Sequence, residues 1–266
     1  MTLRPSTRPL RPAALASGLA AGVAVAIAAP AARGQETPAS QTTLTTYLWA
    51  AAVTENLAGG ASVEVDSMTV IENLDFGFMG EAIHRRGDLL LGVEGFYVDV
   101  SKSGRATLPP AAGEPASPDQ LTVGAGLDTT TTFVKPQIGW RLVETPRATV
   151  FGTLALRWTR FDTKFGADAS DGRSYQISVE DTALDALVGA RGEIALTESW
   201  SLPFVVGAGA GESDFTWEVF AGLAWTRGPH RLTAGWRHVD WELGSASRYV
   251  DSVAYDGPLL AYSFTF

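Results

Sequence analysis

The sequence predicts an all-β fold, a closed antiparallel transmembrane β-barrel of ten strands, and three observations lead to it. From Thr42 onward the chain divides into segments of about 10–15 residues in which apolar positions alternate with small or polar ones. Tryptophans bracket apolar stretches: Trp217 and Trp225 lie eight residues apart, about 27 Å along an untilted strand, which suits a lipid-facing band between two aromatic girdles. The chain closes on Leu260, Tyr262, Phe264 and Phe266 on one face, with Ala261, Ser263 and Thr265 on the other. Period two is the strand signature, and a soluble sandwich shares it. The spacing of the aromatic ends favours the membrane, and Trp140, Trp200 and Tyr47 add to those ends.

The first residues carry Arg4, Arg8 and Arg11, then an Ala-rich apolar run from Ala13 to Ala29, then small residues around Ala29-Pro30-Ala31. This reads as a secretory signal peptide over 1–34 that is removed, leaving 35–266 as the barrel domain. The run is short and alanine-dominated for a membrane anchor. Those 34 residues hold four of the twenty Lys and Arg and none of the twenty-nine Asp and Glu, so 35–266 carries a formal charge of −13. Such a balance argues against a nucleic-acid partner. There is no cysteine, so an exported chain must secure its core without disulfides, as a closed barrel does by pairing every backbone group between strands.

The predicted strands are 43–54, 75–86, 88–101, 127–141, 148–163, 182–196, 201–211, 214–226, 230–243 and 255–266. Eight or twelve strands also satisfy the pattern. The connections at Arg86-Gly87-Asp88, Glu144-Thr145-Pro146, Thr197-Glu198-Ser199 and Arg227-Gly228-Pro229 are tight, whereas 55–74, 102–126, 164–181 and 244–254 are long. Only the link near Ser213 is short where a long one is due. Tight periplasmic turns alternating with long outer loops are the expected asymmetry. Residues 61–71 could extend the first hairpin or form a loop with a helical turn at Val70–Leu74. The prolines at 109, 110, 115 and 118 predict a mobile outer loop over 105–126. Pro136 and Pro203, inside predicted strands, predict bulges or strand ends.

The runs Tyr47-Leu48-Trp49-Ala50, Glu72-Asn73-Leu74-Asp75-Phe76-Gly77-Phe78-Met79-Gly80, Val188-Gly189-Ala190-Arg191-Gly192 and Gly257-Pro258-Leu259-Leu260-Ala261-Tyr262-Ser263-Phe264-Thr265-Phe266 resemble a family of uncharacterised outer-membrane β-barrel proteins of Gram-negative bacteria. The resemblance spans residues 35–266 and departs from the family pattern at His238, where tyrosine is usual, and at Ala186, where proline is usual. It implies a barrel in the outer membrane and supplies no activity or catalytic residue. The ending, with Tyr262, Phe264 and Phe266, looks like the signal read by the outer-membrane assembly machinery, which together with outer-membrane lipid is an expected partner.

Alternation places Glu81, Glu94, Lys135, Gln137, Arg141, Arg157, Asp185, Arg191, Glu193, Glu218 and Arg237 on the inward face. Five acids and five bases confined in a narrow lumen are stable when each has a partner, which predicts a paired network filling the barrel. An open lining would instead make a narrow porin for ions or very small solutes. His84, His230 and His238 show no metal-ligand spacing, and no cofactor is expected. His238 with Asp240 superficially matches the His-Asp pair of omptin-type proteases, but Trp236, His238 and Asp240 share a face that points outward. A barrel-embedded hydrolase is therefore the least favoured reading. The sequence points to a non-enzymatic envelope scaffold whose loops 102–126 and 164–181 meet the environment.

Overall fold

The computed structural model describes residues 40–57, 62–72, 74–107, 122–169, 174–244, 247 and 250–266. The proposed signal peptide and the centres of three expected loops lie outside these residues. The described strands are β1 (Ser40–Trp49), β2 (Ala52–Leu57), β3 (Ser62–Val65), β4 (Leu74–Arg86), β5 (Leu89–Thr107), β6 (Thr122–Glu144), β7 (Ala148–Ala169), β8 (Ser174–Ala195), β9 (Trp200–Gly211), β10 (Phe215–Arg227), β11 (His230–Glu242) and β12 (Val250–Thr265); one short helix, α1, covers Ser67–Glu72.

Ten of these strands make the barrel: β1 pairs with β4, β4 to β12 follow in sequence order, and β12 returns to β1. Every pairing is antiparallel, and because β12 pairs back with β1 the ten-strand ring closes without an edge. β2 prolongs β1 along β12 in unbroken register: Trp49 faces Leu259 and Ala52 faces Asp256. The interruption at Ala50-Ala51 lies against Gly257, where a Cβ would stand 2.1 Å from the carbonyl oxygen of Ala50, so only glycine fits.

The tight turns fall at 87–88, 145–147, 196–199 and 228–229, all at the end that carries Ser40 and Phe266. Gly87 and Gly228 take positive φ of 59°, the left-handed conformation a two-residue hairpin turn requires. At the other end, β5 and β6 stay paired up to Thr107 and Thr122, and β7 and β8 up to Asp168 and Ser174. Within the expected loops 102–126 and 164–181, residues 102–107, 122–126, 164–169 and 174–181 are thus strand, and 108–121 and 170–173 lie outside the described residues. Gly104, Gly124, Gly126 and Gly166 sit within the ladders; Gly124, Gly126 and Gly166 are paired on both sides, and Gly104 is paired with β6. Strands of 19 to 23 residues exceed the 9–11 or so needed to cross a bilayer, so these four project as a hairpin pair beyond the barrel.

Residues 61–71 carry both expected features: β3 pairs with β2, and α1 starts at Ser67, earlier than the expected turn at 70–74. Asp66 sets that start, accepting hydrogen bonds from the Met68 and Thr69 amides at 3.1 and 3.0 Å and from the Thr69 hydroxyl at 2.7 Å. β12 begins at Val250 instead of 255. Pro136 and Pro203 mark neither bulge nor strand end. Their strands run through, and only the ladder rungs toward β7 and β10 are missing beside them. The register shifts lie at Leu74/Phe76, Arg141/Val143 and Val250/Ser252.

Outward positions form an apolar wall: Leu48, Leu154, Leu184, Val188, Leu223 and Leu260 are all exposed. Trp140, Trp200, Tyr262, Phe264 and Phe266 stand out near the turn end, and Trp158, Trp217 and Trp236 toward the other. An apolar band between two aromatic belts is what a bilayer selects. Tyr47, expected among the outward aromatics, is instead buried and faces the lumen, because Tyr47, Trp49 and Ala51 take the inward parity of β1.

Candidate functional site

The barrel interior is built in three layers. At the turn end a vestibule of about 1020 Å³ opens between the tight turns and runs inward past Arg85, Glu81, Arg191, Glu193 and Arg231. Arg191 grips Glu81 with both terminal nitrogens, at 2.6 and 2.9 Å, and Gln137 donates to the same carboxylate at 2.9 Å. Gly92 makes room for Gln137, since a Cβ there would lie 2.9 Å from its Cγ. Arg231 pairs with Glu193 at 2.6 Å and donates to Ser201 at 3.3 Å.

The floor of the vestibule is a closed quartet of buried charges. Lys135 Nζ lies 2.8 Å from Glu94 and 2.6 Å from Glu218, while Arg237 lies 2.5 Å from Glu94 and 3.2 Å from Glu218. Tyr47 donates to Glu94 at 2.6 Å and accepts from Arg237 at 3.1 Å. Glu94 and Lys135 are direct cross-strand partners on β5 and β6. Glu218 and Arg237 come from β10 and β11, on the opposite wall of a ten-strand ring, so the contacts span the lumen. Two carboxylates and two cations cancel, and each has several partners, which is the condition for keeping charge in a dry interior.

Beyond the quartet the lumen turns aromatic. Phe96 and Phe133 stack nearly parallel at 4.8 Å, Trp49 meets Phe96 edge-on at 5.9 Å, and Tyr255 bridges Trp49 to Trp241 at 5.8 and 5.9 Å. Phe161 closes on Trp241 at 5.5 Å, and Met79, Val98 and Val239 fill the gaps. Tyr255 and Thr131 share a hydrogen bond of 2.7 Å across the barrel.

Seven of the ten expected charges therefore form ion pairs with one another or with neighbours in the lumen, and three stand apart. Arg141 lies at the rim, paired with Asp88 and Glu144 outside the inner network, because it falls at the last turn of β6. Arg157 is buried and has no ion pair among the described residues: its guanidinium sits 4.4 Å over the Trp241 ring and donates to the Thr216 hydroxyl, since its level in β7 is the aromatic one. Asp185 accepts from the Ser213 amide at 2.9 Å and hydroxyl at 3.0 Å, thereby fastening the short β9–β10 link. Arg85, Arg231 and Tyr47 belong to the site and escaped the sequence reading, although the even spacing of Arg85 from Glu81 and of Arg231 from Arg237 carries the signal.

His238 faces outward as expected. It lies 3.1 Å from Asp256 and 4.0 Å from Asp240, its ring rests 4.4 Å from Trp217, and Trp236 donates to Asp256 at 2.9 Å. His84 is held by Thr42 at 3.0 Å, and His230 by the Tyr262 hydroxyl at 2.7 Å. Phe264 and Phe266 contact each other at 6.1 Å, and the Phe266 and Thr42 backbones exchange hydrogen bonds of 2.9 and 2.8 Å across the β1–β12 seam.

These features define the class: a transmembrane β-barrel of the outer-membrane type, with a filled lumen. Among solved structures, the outer-membrane protease OmpT of Escherichia coli matches with a TM-score of 0.52 and 8% identity, over 86% of this chain and 98% of that one. Lesser likenesses are the translocator domain of the autotransporter NalP of Neisseria meningitidis (TM-score 0.38, 10% identity, 85% and 88% covered) and Ail, the attachment invasion locus protein of Yersinia pestis (0.32, 11%, 85% and 98%). At these identities the OmpT match establishes the fold and nothing finer. No family model matches the chain, and no curated protein matches it in sequence.

Proposed function

We propose that the protein is a non-enzymatic component of the bacterial outer membrane, a closed barrel acting as an envelope scaffold that carries projecting strands into the surroundings. The observation behind this reading is the cross-lumen quartet backed by the aromatic layer. A hydrated ion entering from the vestibule meets four mutually neutralised charges, then stacked rings that offer no replacement for its water. The apolar wall and its two aromatic belts support a bilayer location, with the turn end on the periplasmic side, and outer-membrane lipid and the assembly machinery as partners. Against a hydrolase stands the position of His238, Asp240 and Asp256 on the lipid-facing wall, where a polar substrate has no pocket.

Conductance of the refolded protein in planar bilayers tests the proposal. A closed scaffold gives no reproducible single-channel steps. Regular steps with ion selectivity would overturn it in favour of the narrow porin.

A further inference from the structure

Six arginines and lysines and six glutamates line the vestibule, and one of the basic side chains holds no carboxylate. Inward of its rim, five basic side chains face it, and four of them hold carboxylates: Lys135 and Arg237 of the quartet, Arg191 on Glu81, and Arg231 on Glu193. Arg85 is the fifth. It has no ion pair among the described residues, and its Nε is buried without a hydrogen-bond partner. Its guanidinium lies 5.4 Å over the Phe151 ring, and Phe151 packs with Ile83 and Leu90 into a small apolar cluster on the same wall.

We propose that the vestibule is a blind binding site for a small amphipathic monocarboxylate entering from the turn end, with its carboxylate on Arg85 and its apolar body against Phe151 and Ile83. The planar fork of a guanidinium matches a carboxylate in two-point geometry. Charge favours a monoanion over a phosphate dianion: Arg85 is the one basic lining group without an ion pair among the described residues, and Glu81, Glu193 and, at the rim, Glu198 repel a second negative charge. The volume, about 1020 Å³, is at the upper end of small-molecule sites. This goes beyond the closed-scaffold reading, which the conductance measurement tests separately; a site that ends blindly can bind without conducting.

The test uses the refolded full chain in nanodiscs with fluorine NMR of para-fluorobenzoate, its neutral isostere para-fluorobenzamide, and inorganic phosphate as competitor. Saturable broadening of the benzoate is expected, at least tenfold weaker for the amide, with phosphate displacing it poorly. Arg85→Met should weaken benzoate at least tenfold, while Arg86→Met, at the exposed neighbour, should leave it unchanged. The two-probe comparison on the unaltered protein needs no variant, so a poorly folding Arg85→Met does not shelter the proposal, and Arg85→Gln supplies a second substitution. Equal affinity for benzoate and amide, no saturation, or unchanged binding in a folded Arg85 variant would overturn it. Phosphate binding more tightly than benzoate would assign the site to phosphate esters instead and equally refute the monocarboxylate.

Discussion

Replacing Arg237 by methionine removes one cation from the quartet while keeping an apolar stem among the rings of Tyr47, Trp49 and Phe133, over which the guanidinium now sits at 5.8, 5.0 and 5.8 Å. Lys135 alone would then serve two carboxylates, and the Tyr47 hydroxyl would lose a donor. Breaking a buried pair in this way costs about 3–5 kcal/mol, because an uncompensated charge is left in low dielectric. The pair Arg231–Glu193 makes the control: its side chains are 24% and 35% exposed, so Arg231→Met should cost only about 0–1 kcal/mol. A charge-restoring double variant sharpens the test. Arg237→Met with Glu94→Gln leaves Lys135 facing Glu218 alone at 2.6 Å, and should be more stable than Arg237→Met by itself. Reversible guanidinium unfolding in lipid vesicles, followed by tryptophan fluorescence, measures all three. If Arg237→Met unfolds within about 1 kcal/mol of the parent, or if the double variant is the weaker of the two, the quartet is solvated and does not close the lumen.

Leu223→Arg, on the outward face in mid-strand, should lower stability by roughly 2–4 kcal/mol in vesicles and much less in detergent. Phe266→Glu should reduce the yield of heat-resistant, folded barrel in an assembly assay more than charge changes within 108–121 do, because it disturbs the β1–β12 seam and the stack on Phe264. Gly257→Ala should impair folding, since its Cβ meets the Ala50 backbone instead of a side chain that could yield; wild-type heat-modifiability on gels would refute this. Asp66, at the head of α1 and outside the membrane span, has its carboxyl held below the ordinary aspartate range, chiefly by the Thr69 hydroxyl and then by backbone amides. A depressed value means the cap is intact above the unfolded-state pKa and fails as pH falls through the folded one. Protection of the Val70 amide, bonded to the Asp66 carbonyl at 3.0 Å and read as exchange relative to the intrinsic rate at each pH, should therefore fall on acidification below about pH 4, and Asp66→Asn should blunt that response.

Much of the fold was legible because side-chain parity is a local property. Period two assigns Leu223 to lipid and Glu218 to the lumen whatever the rest of the chain does. The ten-strand closure and the short link at Ser213 follow from the same reading. The long hairpins escaped it for an equally local reason: prolines and glycines punctuate 102–126 and 164–181, yet the ladders absorb Gly104, Gly124 and Gly166, the last two with partners on both sides. Partner identity was the least legible part. Arg191 might have met Asp185 or Glu193, its neighbours on β8, but its carboxylate is Glu81, from another wall of the barrel. Which walls face one another at a given height depends on strand tilt and stagger, which no single segment encodes.

The same geometry explains why the interior changes character halfway. Toward the turn end, β1, β4 and β8 carry Thr45, Glu81, Arg85, Arg191 and Glu193 on their inward positions, and water from the vestibule can reach them. Past Glu94 and Arg237, the inward positions on β1, β5, β6, β11 and β12 become Trp49, Phe96, Phe133, Trp241 and Tyr255. Rings fill a narrow lumen with few atoms left to hydrate, so this half is closed by volume and the quartet by charge. Arg157 shows how dry it is: with Nε and Nη1 unpartnered, its charge rests on the Trp241 face and the Thr216 hydroxyl. Removing a quartet charge and removing a ring are therefore different perturbations. Arg237→Met should destabilise the barrel without opening it, because the rings remain, whereas Phe133→Ala should open a void of aromatic size at the Phe96 stack while the quartet still blocks ions. Only a variant carrying both changes should conduct, and single-channel steps in either single variant would show that one layer alone had been holding the lumen shut.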